Sequence, residues 1–116
     1  MEDILTMINV EMAERETKGD KTYFDALLAP TFAFRRASGA FDDRQIFLAG
    51  LRRGAERKCK EGSIKVMPFG STRAFVTCVV TVQGKKGPES YHNARLFVLD
   101  ATDSWRLLAW ANEPEV

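Results

Sequence analysis

The residues best suited to chemistry lie on one stretch, Tyr91 to Leu99. Strand alternation there puts Tyr91, Asn93, Arg95, Phe97 and Leu99 on one face. His92, Ala94, Leu96 and Val98 fall on the other. An arginine among apolar neighbours must be paired or line a cavity. In a cavity its guanidinium would grip a carboxylate in a bidentate fork. Paired internally, it would close a salt bridge to a helix carboxylate such as Asp25 or Glu16. Phe24 and Trp110 can wall the same pocket, or simply fill the core. Tyr23, Asp25 and Tyr91 are the titratable groups that could face Arg95 across it.

Other candidates read more plainly. His92 is the sole histidine, on the opposite face, without adjacent carboxylates for a metal site. Asp42 and Asp43 look like paired carboxylates, but their place before Ile46 and Phe47 suits a helix cap. Arg52, Arg53, Arg57, Lys58 and Lys60 form a basic run without interleaved aromatics, which reads as a solvated loop rather than a nucleic-acid surface. Gly84 to Gly87 has two lysines but no following helix, so it is no phosphate cradle. Cys78 alternates with Val76 and Val80 and is expected to be buried. Cys59, among cations, is expected to be exposed. No cofactor and no metal are assigned.

The chain has 116 residues, 45% hydrophobic and 28% charged, with a net charge of +1. That length suits one domain, residues 1–116. The composition excludes disordered, collagen-like and disulfide-scaffold chains. The charge gives no field for nucleic acid or membrane. Two cysteines, an acidic start and the lack of a long apolar run lead to the expectation of a cytoplasmic, reduced protein.

The elements that must hold the site follow from periodicity. Ile4, Leu5, Met7, Ile8 and Met12 recur at helical spacing. Gly19 is a stop and Asp20 a cap for a second helix carrying Tyr23, Phe24, Leu27 and Leu28, ended by Pro30. Thr31 to Arg36 predicts a strand, and a third helix holds Ile46, Phe47 and Leu51 and ends near Gly54. Strands follow at Ser63–Phe69, Arg73–Gln83, Tyr91–Leu99 and Trp105–Asn112. Helices before a meander predict an α+β fold, with helices on one face of an antiparallel sheet. Both faces of the long strands are largely apolar, so a homodimer through the outer face is expected. Trp105 belongs to the core or that interface.

This order, with Gly19-Asp20, Phe69-Gly70, Asn93-Ala94-Arg95-Leu96-Phe97 and Trp105 to Asn112, resembles the nuclear transport factor 2-like superfamily, closest to its SnoaL-like branch of small proteins of unknown function. The resemblance implies a cone: a strongly curved sheet wrapped on the N-terminal helices around a pocket. It also implies a dimer through the sheet. Relatives include ketosteroid isomerase, whose base would stand at the end of the first strand. Here that strand ends Arg35-Arg36-Ala37, without a carboxylate. Scytalone dehydratase relies on histidines, which this chain lacks apart from His92. The association domain of calcium/calmodulin-dependent kinase II carries a pocket arginine that aligns with Arg95.

The ligand-binding set is therefore Arg95, Asn93, Tyr23, Phe24, Phe97 and Trp110. Two readings stand side by side. One is a binder of a small organic molecule, with an anion among the candidates and chemistry on an acid or ketone open to it. The other is a non-catalytic binding or oligomerisation module.

Overall fold

The computed structural model describes residues 1–114. Helix α1 runs Glu2–Lys18, α2 Lys21–Leu27 and α3 Arg44–Gly50. The strands are β1 Leu28–Arg35, β2 Phe41–Asp43, β3 Arg57–Cys59, β4 Lys65–Pro68, β5 Arg73–Gly84, β6 Gly87–Leu99 and β7 Trp105–Pro114. They form one sheet in the order β2-β1-β7-β6-β5-β3, with β4 also paired to β5. The sheet is mixed rather than wholly antiparallel, because β1 runs parallel to β7. The connection from β1 to β7 spans the rest of the fold, so it need not be a hairpin.

Gly19 ends α1 in the left-handed conformation at φ 65°. Its N–H bonds Glu16 O, and the Asp20 N–H bonds Arg15 O, the Schellman pairing. A Cβ on Gly19 would lie 2.5 Å from the Arg52 carbonyl carbon and the Arg53 nitrogen. Glycine therefore lets the segment after α3 close against α1. Asp20 accepts from the Tyr23 N–H at 3.1 Å and starts α2.

Several expectations shift by local physics. Helix α2 stops at Leu27, and Pro30 lies inside β1 rather than ending a helix. The β1–β7 register breaks between Leu28 and Ala33, and a residue without an N–H is tolerated at such a break. Helix α3 ends at Gly50, four residues before Gly54. Asp43 is its cap, accepting from the Ile46 N–H at 2.8 Å. Asp42 turns inward from β2 and pairs with Arg36 at 2.7 Å. Part of the basic run is not loop: Arg57–Cys59 forms edge strand β3 against β5. Charged side chains suit an edge. That strand turns Cys59 inward to 8% exposure, so its expected exposure is corrected, while Cys78 is buried as expected.

On α1 the buried stripe is Leu5, Asn9, Met12 and Ala13, while Ile4 and Met7 face outward. The core under α1 contains Phe24, Phe32, Phe34, Phe47, Phe97, Leu107 and Trp110. Phe34 stacks on Trp110 at 4.3 Å, and Phe47 meets Phe24 edge-on at 5.3 Å.

Candidate functional site

The strand phase read from the sequence holds on β6. Asn93, Arg95 and Phe97 are buried, and His92 is exposed. Arg95 is 1% exposed beneath α1. Its Nη1 donates to Asn9 Oδ1 at 2.7 Å, and Nη2 donates to Asn93 Oδ1 at 3.1 Å. The Trp110 Nε1–H shares that Asn93 oxygen at 2.7 Å. The guanidinium lies over the Trp110 ring, 4.5 Å from its centroid. Among the described residues no carboxylate forms an ion pair with it. Two amide oxygens and an aromatic face hold the charge instead, while Nε has no partner. A buried cation so held keeps its field, because neutral dipoles do not cancel a net charge.

That field reaches Glu16, in the last turn of α1. The Glu16 carboxylate is 12% exposed and stands 3.6 Å from Arg57 Nε. Burial raises its pKa, and Arg57, Arg95 and Arg36 pull it back, in that order. Glu16 lines a cavity of about 190 Å³ together with Arg36, Phe47, Leu51, Arg53 and Arg57. We call this the mouth. Arg36 is fixed there by Asp42 and by the Phe34 ring, 4.9 Å below its guanidinium. Phe47 separates the mouth from Phe24, Phe34 and Trp110.

The structure thus joins Arg95, Asn93 and Trp110 in one network. Phe24 and Phe97 are fully buried in the core beside it. Tyr23 is half-buried at the helix edge, its ring edge-on to Phe24 at 5.2 Å. Its hydroxyl pKa is raised, chiefly by burial, and Arg95 acts against that rise. Asp25 pairs with Arg44 on the surface, and the Tyr91 hydroxyl donates to Glu89. Sequence reasoning missed Asn9 and, as a mouth residue, Arg57. The signal for Asn9 was present: Leu5, Asn9, Met12 and Glu16 share one stripe at steps of four, three and four. Among the described residues no group of three His, Cys, Asp or Glu side chains is placed to hold a metal. No described helix is long and apolar enough to cross a membrane.

No protein-family model and no curated protein matches the chain. Solved structures do. A nuclear transport factor 2-like protein from Cytophaga hutchinsonii superposes with a TM-score of 0.85 at 12% identity, covering 99% of this chain and 98% of that one. The fold is nuclear transport factor 2-like. A second such protein, from Rhodospirillum rubrum and described as of unknown function in nutrient uptake, gives 0.81 at 18% identity over 97% and 98%. The calcium/calmodulin-dependent kinase II hub of S. rosetta gives 0.75 at 22% identity over 96% and 94%. These matches show the nuclear transport factor 2-like fold and single out no branch, the SnoaL-like one included. In this fold the mouth lies where α1, α3 and the segment before β3 converge.

Proposed function

We propose that this chain binds a small organic carboxylate at the mouth without transforming it, and that two copies pair through the outer sheet face. The observation that carries the first half is a charge imbalance. Arg36, Arg57 and the buried Arg95 all act on one carboxylate, Glu16, and among the described residues only Arg36 has a second acid, Asp42. An added anion would complete the neutralisation. A cavity of about 190 Å³ is below the range of drug-sized ligands, so the anion is small. Arg95, Asn93, Phe24, Phe97 and Trp110 form the deep wall in this reading, and Tyr23 its edge. Arg95 contributes field rather than contact. Glu16 faces Arg57 Nε at 3.6 Å; its single charge cannot neutralise all three arginines, and it does not act as a base. The free thiols Cys59 and Cys78 fit a reducing, cytoplasmic setting.

The test is a thermal-shift series of small carboxylates against their amides. Carboxylates should stabilise the protein and amides should not. Arg57→Gln should weaken the acids by about ten- to a hundredfold, the worth of a charge-assisted contact. Equal response to acids and amides overturns the reading.

The second half rests on a groove of about 350 Å³ on the outer face, lined by Ala33, Phe41, Phe75, Ala94, Leu96 and Ala111 among others. Phe41 is 70% exposed and Phe75 41%. A second copy presents the same apolar surface across a two-fold axis, which makes the contact self-complementary. Sedimentation equilibrium at micromolar concentration should find a dimer. A lone 13.1 kDa species overturns this half.

A further inference from the structure

Beneath α1, a second small cluster of buried residues brings two cysteines together with Ala13 and Val80. We propose that Cys59 and Cys78 form an oxidisable dithiol, which a hydroperoxide converts to an intrachain disulfide between β3 and β5. Both thiols are free and buried. The two side chains point to the same side of the sheet, and Arg95 Nη1 donates to the Cys78 sulfur at 3.5 Å.

This arrangement divides the labour. The Cys59 hydrogen bond and the charges of Arg95 and His92 draw the Cys78 thiol pKa down, against burial. The proton stays on Cys59, whose pKa is raised by that bond and by burial. The thiolate is the nucleophile toward peroxides, so Cys78 is the attacking sulfur and Cys59 resolves. Cys59, 8% exposed, also lines a surface groove of about 370 Å³ with Lys58, Lys60 and Thr81; Cys78 does not line it, so a small peroxide must pass Cys59 to reach the attacking sulfur.

The chemistry balances. The Cys78 thiolate, its proton released to solvent, attacks one peroxide oxygen; an S–O bond forms, the O–O bond breaks, and the departing hydroxide takes a proton back from solvent as water. Cys59 sulfur then displaces the hydroxyl from the sulfenic acid. An S–S bond forms, the S–O bond breaks, and the Cys59 proton leaves in a second water. Two thiols are oxidised and one hydrogen peroxide is reduced to two waters.

Geometry sets a further consequence. Cys59 pairs in register with Val80, so Cys78 is its diagonal neighbour. Diagonal Cα atoms in such a ladder are about 7–8 Å apart, beyond the usual disulfide span of about 4.4–6.8 Å. Closure therefore draws β3 along β5. A three-residue strand at the sheet edge can yield in this way. Because β3 carries Arg57, closure also moves one wall of the mouth. That coupling rests on the anion-binding reading; the disulfide does not.

The folded, reduced protein should be treated with hydrogen peroxide, alkylated in denaturant and digested without reductant. Mass spectrometry should find the Cys59 and Cys78 peptides joined, lighter by two hydrogens, and separated again by dithiothreitol. In Cys59→Ser the link is lost and a dimedone adduct accumulates on Cys78. The proposal is overturned if both thiols remain free at peroxide levels that oxidise the unfolded chain, or if Cys78 goes to sulfinic acid while Cys59 stays reduced. A carboxylate titration of the linked protein reads the coupling separately. A joined pair with unchanged carboxylate affinity removes the coupling alone, and a wild type indifferent to carboxylates removes the anion reading alone.

Discussion

Strands β5, β6 and β7 have two faces of opposite character. The face beneath the helices holds an arginine, an asparagine, a cysteine and an indole N–H, together with Asn9 from α1. The face turned away from the helices holds Phe75, Ala94, Leu96, Ala109 and Ala111. The usual order of polar outside and apolar inside is inverted at these positions. Inside, nearly every polar atom has been given a partner from the same chain. Outside, Phe75 is left 41% exposed above a floor of half-buried Ala94, Leu96, Ala109 and Ala111. An interior can afford polarity when its hydrogen bonds are built in; an apolar exterior waits for another surface.

The largest effect should come from charging the outer face. Leu96 stands between Phe75 and Ala109 in the ladder. Leu96→Glu leaves the monomer with one more surface charge, usually worth within about 0.5 kcal/mol. In a sheet-to-sheet dimer it buries an unpaired carboxylate, at a cost of roughly 3–5 kcal/mol. Dimer dissociation should therefore strengthen by about two to three powers of ten in sedimentation equilibrium, with urea stability of the monomer unchanged. An unaltered mass distribution would mean that the outer face has no partner.

The inner face should respond less, because Asn9, Asn93 and Trp110 are neutral and the Cys78 sulfur can take up a proton once Arg95 is gone. Arg95→Met removes the donor to Asn9 Oδ1, whereas Asn93 Oδ1 keeps Trp110. One stranded amide oxygen costs about 1–3 kcal/mol in urea unfolding. A loss of roughly 3–5 kcal/mol would instead reveal a true ion-pair partner, with Glu16 the first suspect. Trp110→Phe keeps a ring for stacking and deletes only the N–H, so about 0.5–1.5 kcal/mol should be lost.

Much of this contrast was legible in the alternation of Arg73–Gln83 and Tyr91–Leu99, since period two alone fixes which side chains share a face. Gly19 and Asp20 were legible as well, because a left-handed stop and an oxygen cap are local demands. Three features were not. The strand Arg57–Cys59 exists by pairing to β5, and nothing in Arg-Lys-Cys announces it. The parallel pairing of β1 with β7 joins residues some eighty positions apart, which no local pattern encodes. Charge logic points Arg95 to acids such as Asp25 and Glu16; its partner is Asn9, an amide on an apolar helical stripe with no charge to mark it as an acceptor.

The smallest effect concerns Glu16, and its sign divides two pictures of the interior. Burial raises the Glu16 pKa above its ordinary 4.5, and Arg57, Arg95 and Arg36 only partly offset this. The folded chain then holds the proton more tightly than the unfolded chain does. Between 4.5 and the raised folded value, folding takes up a proton. Stability contributed by this group is full below that window and is lost as pH rises through it. Asp20 and Asp100 carry lowered pKa values and give slopes of the opposite sign at lower pH. Those slopes are common to wild type and to Glu16→Gln, so they cancel in the difference. The variant should accordingly gain on wild type as pH rises from about 4.5 toward neutrality, read as the difference between their urea midpoints. Carboxylate affinity should fall over the same interval in wild type alone, since an ionised Glu16 competes for the arginines. A variant that instead loses ground toward neutral pH would mean that the guanidinium groups outweigh burial. Glu16 would then be the structural counter-ion of Arg57 and Arg95, and the mouth would hold no spare positive charge for a ligand.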